Sequence, residues 1–223
     1  MKTLLKSTIL ALATLAMFAS DVEAQVSVNA DFMSRYVWRG ADFGNSPSIQ
    51  PSITYTAGNF EIGTWAAFAT TGDPDGTEVD FFASYTFDSD AGSFSLSLTD
   101  YTFPDLVTES YFMSEEHYIE AGIGYGGTES FPISLFLGTF LTNDDDNSVY
   151  IEAGYDAGPV DLILGLTPSE SALYGTAGAG VLNLGLSASR EIVVTPTFSF
   201  DINSSVMANP YSENLFFVFG LGF

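Results

Sequence analysis

From residue 26 onward, polar and apolar residues alternate along the chain. In "VSVNADFMSRYVW" the even positions Val26, Val28, Ala30, Phe32, Tyr36 and Trp38 are apolar, with Ser34 breaking the run. Ser27, Asn29, Asp31, Arg35 and Arg39 fall on the other parity. "EVDFFASYTFD" separates Val79, Phe81, Ala83, Tyr85 and Phe87 from Glu78, Asp80, Ser84 and Thr86. "SVYIEAGY" and "PVDLILGL" divide in the same way, Val149, Ile151, Ala153 and Tyr155 in one, Val160, Leu162, Leu164 and Leu166 in the other. A period of two over about eight residues describes a strand with one apolar and one polar face. About twelve such strands are predicted, beginning near 26, 48, 60, 78, 93, 116, 131, 148, 159, 175, 196 and 214. Helical periodicity is absent beyond the first two dozen residues.

The connections differ in kind. "TAGNF", "DSDAGS", "GGTESF" and "YDAGPV" are tight and contain glycine, whereas "TTGDPDGTE", "FPDLVTESYFMSEEH", "LTNDDDNS" and "TPSESALYG" are longer and mostly acidic. This layout predicts an all-β fold, a transmembrane antiparallel up-and-down β-barrel of twelve strands with short periplasmic turns and longer acidic extracellular loops. A soluble lipocalin or sandwich would alternate too, but the even strand count and the one-sided loops favour the membrane barrel. So does the final strand. Leu215, Phe217, Phe219, Leu221 and Phe223 form one stripe, with Gly220 and Gly222 opposite. The last strand of a closed barrel pairs with the first and ends flush at the interface. A C-terminal Phe on an alternating strand resembles the signal that the barrel assembly machinery reads, which implies that role for Phe219, Leu221 and Phe223.

Residues 1–24 read differently. Lys2 and Lys6 precede the apolar run Ile9–Ala19, and Val22 and Ala24 are the small residues a signal peptidase reads. This predicts a cleaved secretory signal peptide over 1–24, a barrel domain over 25–223, and residence in the bacterial outer membrane. The full chain carries 28 acidic against five basic residues, a formal net charge of −23, yet is 46% hydrophobic and 15% aromatic. Disordered acidic chains lack that apolar content. Three arginines beyond the leader, Arg35, Arg39 and Arg190, cannot build a basic patch, which excludes nucleic acid as a partner. No cysteine is present, which leaves out disulfides and thiolate chemistry. The expected partners are outer-membrane lipids and lipopolysaccharide, the assembly machinery, and a small-molecule or ion solute.

The first hairpin is more specific. Tyr36, Trp38, Arg39 and Gly40, then Pro47 and Gln50, then Gly58, Phe60, Gly63, Trp65 and Ala66 follow one another at set spacing. This stretch resembles the opening of the TorF-like porin family, a group of conserved hypothetical bacterial outer-membrane β-barrel proteins. The resemblance covers about a quarter of the chain after the leader, and it implies an outer-membrane barrel of twelve strands.

If the apolar stripes face lipid, the other parity lines the lumen, since a charge on the lipid face costs roughly 2–4 kcal/mol at the midplane. Asp31, Arg35, Arg39, Glu61, Asp80, Glu120, Glu152, Asp161 and Asp201 form the expected lumen charge ladder. Arg35 and Arg39, read as one strand, would stand about 13 Å apart. They either pin neighbouring carboxylates as ion pairs or form a ladder that a solute passes. Glycines such as Gly122, Gly124 and Gly165 lighten the lumen, while Phe82, Phe136, Phe140 and Tyr150 could fill it again. The functional expectation is passive diffusion of small solutes, cation-preferring if open. The alternative is a plugged structural barrel or surface receptor. A hydrolase would need His117, the single histidine, with Ser114 or Glu116, and no further constellation joins them, so no enzyme activity is expected. Oxygen-rich Asp73–Gly76 and Asn143–Asn147 lack the spacing of a calcium loop beyond weak divalent bridging, so no metal and no cofactor is assigned.

Overall fold

A strand with one apolar and one polar face can hide its edges only by closing on itself. The computed structural model, which describes residues 24–104 and 117–223, does this with twelve strands. Chain order gives β1 (Ala24–Met33), β2 (Tyr36–Trp38), β3 (Ala41–Phe43), β4 (Ser48–Ala57), β5 (Phe60–Ala69), β6 (Thr77–Ser89) and β7 (Gly92–Thr102). Then follow β8 (Tyr118–Thr128), β9 (Phe131–Phe140), β10 (Val149–Asp156), β11 (Asp161–Thr167), β12 (Gly180–Thr195), β13 (Phe198–Asn209) and β14 (Asn214–Gly222). β2 and β3 form a separate two-stranded hairpin, and the other twelve make a closed antiparallel barrel. Among the described residues the only helix is one 3-10 turn, Pro74–Gly76. The expected leader lies outside the described residues except for Ala24, which opens β1.

Sequence neighbours pair around the wall, and β1 closes the circuit by pairing with both β4 and β14. In the seam Asp31 faces Gly222, Phe32 faces Leu221 and Met33 faces Gly220. Phe223 extends it: its amide donates to the Ala30 carbonyl at 3.1 Å and its carbonyl accepts from the Ala30 amide at 3.0 Å. The short connections 58–59, 90–91, 129–130, 157–160 and 196–197 share one end of the barrel, the turn end, with both described termini. The longer ones leave from the other, the loop end.

Alternation sets the faces. Val26, Val28, Ile53, Leu96, Ile123, Leu137, Leu164, Leu186 and Phe217 stand exposed on the outer wall. Tyr55, Phe87, Phe94, Phe131, Tyr155, Phe198 and Phe223, also exposed, ring the turn end. The inner wall uses its glycines as seats for rings. A Cβ on Gly63 would overlap Phe82, one on Gly122 or Gly138 would meet Phe136, and one on Gly165 would overlap the Tyr150 hydroxyl. The glycine-lightened lumen is thus refilled by aromatic side chains.

Two expectations need correction. The strand from residue 26 does not run on to Trp38: it ends at Met33, where Ser34 breaks the alternation, and the chain turns inward. Tyr36 and Trp38 therefore do not belong to the outer wall. The strand expected from 175 starts at Gly180, because Ser171 and Thr176 bridge each other inside the preceding loop.

Candidate functional site

The segment between β1 and β4 folds across the bore. Its hairpin turns at Arg39 and Gly40, with φ of 48° and 77°. Two positive φ values match the right-handed twist of a two-residue hairpin. Gly40 is needed for a second reason: a Cβ there would overlap the Leu182 carbonyl on β12, and the Gly40 carbonyl accepts from Asn209 Nδ2 on β13 at 3.3 Å. From its root beside β1 and β4, the hairpin thus reaches β13 and β12, two and three strands round the wall from β1.

Arg39 is the centre of this contact. Its guanidinium donates from Nη1 and Nη2 to the two oxygens of Glu120 on β8, at 2.8 and 2.9 Å, and to the Tyr174 hydroxyl at 2.6 Å. Tyr101 donates to the same carboxylate at 2.9 Å. The cation also lies 4.1 Å from the Tyr150 ring centre and 4.4 Å from that of Trp38. The two charged side chains are 9% and 3% exposed, so the pair is desolvated and is held by the guanidinium's bonds and the one from Tyr101. Burial alone would lower the Arg39 pKa; the Glu120 hydrogen bond and charge together outweigh it and raise the pKa above the ordinary value. Burial also raises Tyr174, helped by Glu120 and opposed by Arg39.

Tyr36, on the near limb of the hairpin, donates to Glu78 at 3.0 Å and packs against Trp65, ring planes tilted by 56° and centres 5.1 Å apart. Burial first, and the Glu78 charge second, hold its phenol well above its ordinary pKa. Arg35 pairs with Asp42 across the hairpin and donates to Asn45 Oδ1 at 2.7 Å. Its side chain is 36% exposed. Arg35 and Arg39 therefore do not share a strand face, because the chain has left the wall before either.

The remaining expected ladder residues sit on the barrel strands. Asp31 and Asp201 approach each other across Gly222. Glu152 and Asp161 line one cavity of about 520 Å³ near the turn end, with Glu152 accepting from Tyr150 at 2.6 Å. Glu61 accepts from Thr56 at 3.5 Å, a long contact. Asp80 is buried beside Glu78, and its Oδ1 has no hydrogen-bond partner among the described residues. Periodicity does not mark Tyr36, Trp38, Tyr101, Tyr174 or Glu78 as parts of this site. The available signals were the parity break at Ser34, the Arg39–Gly40 pair, and a tyrosine inside an acidic loop.

His117 Nδ1 lies 2.9 Å from both oxygens of Asp100, and its carbonyl accepts from Asn143 Nδ2 at 3.1 Å. Ser114 and Glu116 lie outside the described residues. The acidic loops have local work as well. Asp73 caps the Pro74–Gly76 turn, and Asp146 accepts from the Ala172 amide at 2.8 Å.

These features define a class: a closed twelve-stranded antiparallel barrel with an apolar exterior and an inward hairpin latched across its bore. The chain belongs to the Gcw_chp family of bacterial proteins of unknown function, whose model matches residues 18–168. That stretch contains the hairpin, Glu78 and Glu120, while Tyr174 lies beyond it. No curated protein matches the chain.

Proposed function

We propose that this protein is an outer-membrane β-barrel of the porin kind, a diffusion channel for small solutes whose bore is shut at the loop end by the 34–47 hairpin. The observation that carries the reading is the Arg39–Glu120 latch, which joins the hairpin tip to the opposite wall. The closed sheet, the apolar outer face and the ring of aromatic residues at the turn end support placement in a lipid bilayer. The leader at 1–24 would route the chain there, and Phe219, Leu221 and Phe223 would serve as its assembly signal. The likeness of the first hairpin to the TorF-like porins supports the channel assignment. No catalysis is assigned to His117.

A second reading, a permanently plugged barrel, is favoured by the number of bonds that Arg39 makes. Conductance of the intact chain in a planar bilayer separates the two: brief openings mark a hairpin that undocks, and lasting silence a permanent plug. The intact chain is expected to pass little current, and a variant with residues 35–44 replaced by a short turn to pass large, steady steps. Silence from that variant would show that the lumen is blocked without the hairpin, and full conductance from the intact chain would remove the hairpin's role as a closure.

A further inference from the structure

On the loop side of the latch, the mouth of the barrel holds a cavity of about 560 Å³. Trp38, Tyr101 and Phe140 line it, and Phe103 and Tyr118 add a pair set edge to face, ring centres 5.9 Å apart. Asp73 and Asp75, from the β5–β6 connection, and Glu78 line it as well. Asp42 reaches it from the hairpin, with Oδ1 buried and lacking a hydrogen-bond partner among the described residues.

No basic side chain lines this cavity among the described residues. Beyond residue 23 the chain's basic residues are Arg35, Arg39, Arg190 and His117, so residues 105–116 bring no arginine or lysine to it either. Arg35 is taken by Asp42, Arg39 by Glu120, and His117 stands on Asp100. Arg190 is on β12 opposite Ile202, toward the turn end of its strand. The charge of Asp73 and Asp75 is therefore left without a counter-ion from this part of the chain.

We propose that the cavity binds an organic cation, a ligand with an ammonium head and an apolar body of about one ring. Aromatic faces attract a desolvated ammonium through the ring quadrupole, and the carboxylates supply its counter-charge. The volume suits a small molecule. A hydrated metal ion would seek converging oxygen ligands and gain little from ring faces. A neutral ligand would leave the carboxylates uncompensated, and an anion would be repelled. The site shares Trp38 and Tyr101 with the latch and is complete while the hairpin is docked, so it belongs to the closed state of a gated barrel and to a permanently plugged one alike.

The full chain folded in a nonionic maltoside detergent, whose headgroup carries no ammonium, allows binding to be measured without conduction. Titration with benzyltrimethylammonium, followed by calorimetry and by tryptophan fluorescence, should saturate with an affinity about tenfold above that for benzyl alcohol. Benzoate should give no heat. Phe103→Leu should weaken the cation several-fold at an unchanged unfolding midpoint, as should the pair Asp73→Asn and Asp75→Asn. Asparagine preserves the cap at position 73, so the loop variant keeps its fold. The proposal is overturned by absence of saturable binding, by equal affinity for the alcohol, by an equal response to potassium or calcium chloride, or by variants that bind as the parent does.

Discussion

Arg39 holds a conformation that arginine seldom takes. A left-handed backbone costs a side-chain-bearing residue roughly 1–2 kcal/mol, so its φ of 48° persists because the surroundings fix it. The two Glu120 oxygens, the Tyr174 hydroxyl and the Trp38 and Tyr150 rings converge on one guanidinium. Truncation leaves Glu120 as a charge in a site where it is 3% exposed. Arg39→Ala is accordingly expected to destabilise the folded barrel by about 3 kcal/mol, seen as a lower urea midpoint in detergent. Arg39→Lys should recover only part, since an ammonium cannot match the two-pronged geometry. The double variant Arg39→Ala with Glu120→Ala should cost less than the sum of the two single changes, because it removes the stranded carboxylate too. Additive losses would show that the pair is not coupled.

At the scale of the element, the hairpin works because its turn fits under β12. Gly40 provides both the positive φ and the clearance below the Leu182 carbonyl. Gly40→Ala should therefore undock the tip while leaving the wall intact: strand content by circular dichroism stays constant, and protease cutting within 34–47 speeds up at least severalfold. Cutting at the parental rate would mean that the tip is held without Gly40. The wall itself was legible in the sequence. Strands expected from 48, 60, 131 and 214 begin at Ser48, Phe60, Phe131 and Asn214, because one face of each meets a different environment from the other. The hairpin was not legible, because Tyr36 and Trp38 happen to continue the outward parity of β1. Periodicity records which faces differ in polarity and cannot tell a ring on the outer wall from a ring packed inside the lumen. Arg-Gly is also a weak turn signal beside Asn-Gly, so in sequence the turn looks like the end of a strand. The Arg39–Glu120 contact joins residues 81 apart in sequence, and only barrel closure brings them together.

For the whole molecule the deciding quantity is the sign of charge left inside once the internal pairs are formed. Arg39 is neutralised by Glu120 and Arg35 by Asp42, so neither offers a free positive charge to a passing ion. Asp31 and Asp201 stand together near the seam, and Glu152 and Asp161 line one cavity toward the turn end. Asp73, Asp75 and Glu78 line the mouth. A solute moving along the proposed path would meet carboxylates at both ends. A lumen this narrow is comparable to the Debye length, about 8 Å at physiological salt, so screening across it is incomplete. The net negative potential should concentrate cations and repel anions. The variant with a shortened hairpin is the one in which this can be read, because its path is unblocked. In a potassium chloride gradient its reversal potential should have the sign of cation preference and shrink toward zero as total salt rises. Replacing Glu152 and Asp161 by Gln and Asn should reduce the preference without lowering the conductance to zero. A reversal potential of the opposite sign would show that the carboxylates do not govern the path, since the variant lacks both Arg35 and Arg39.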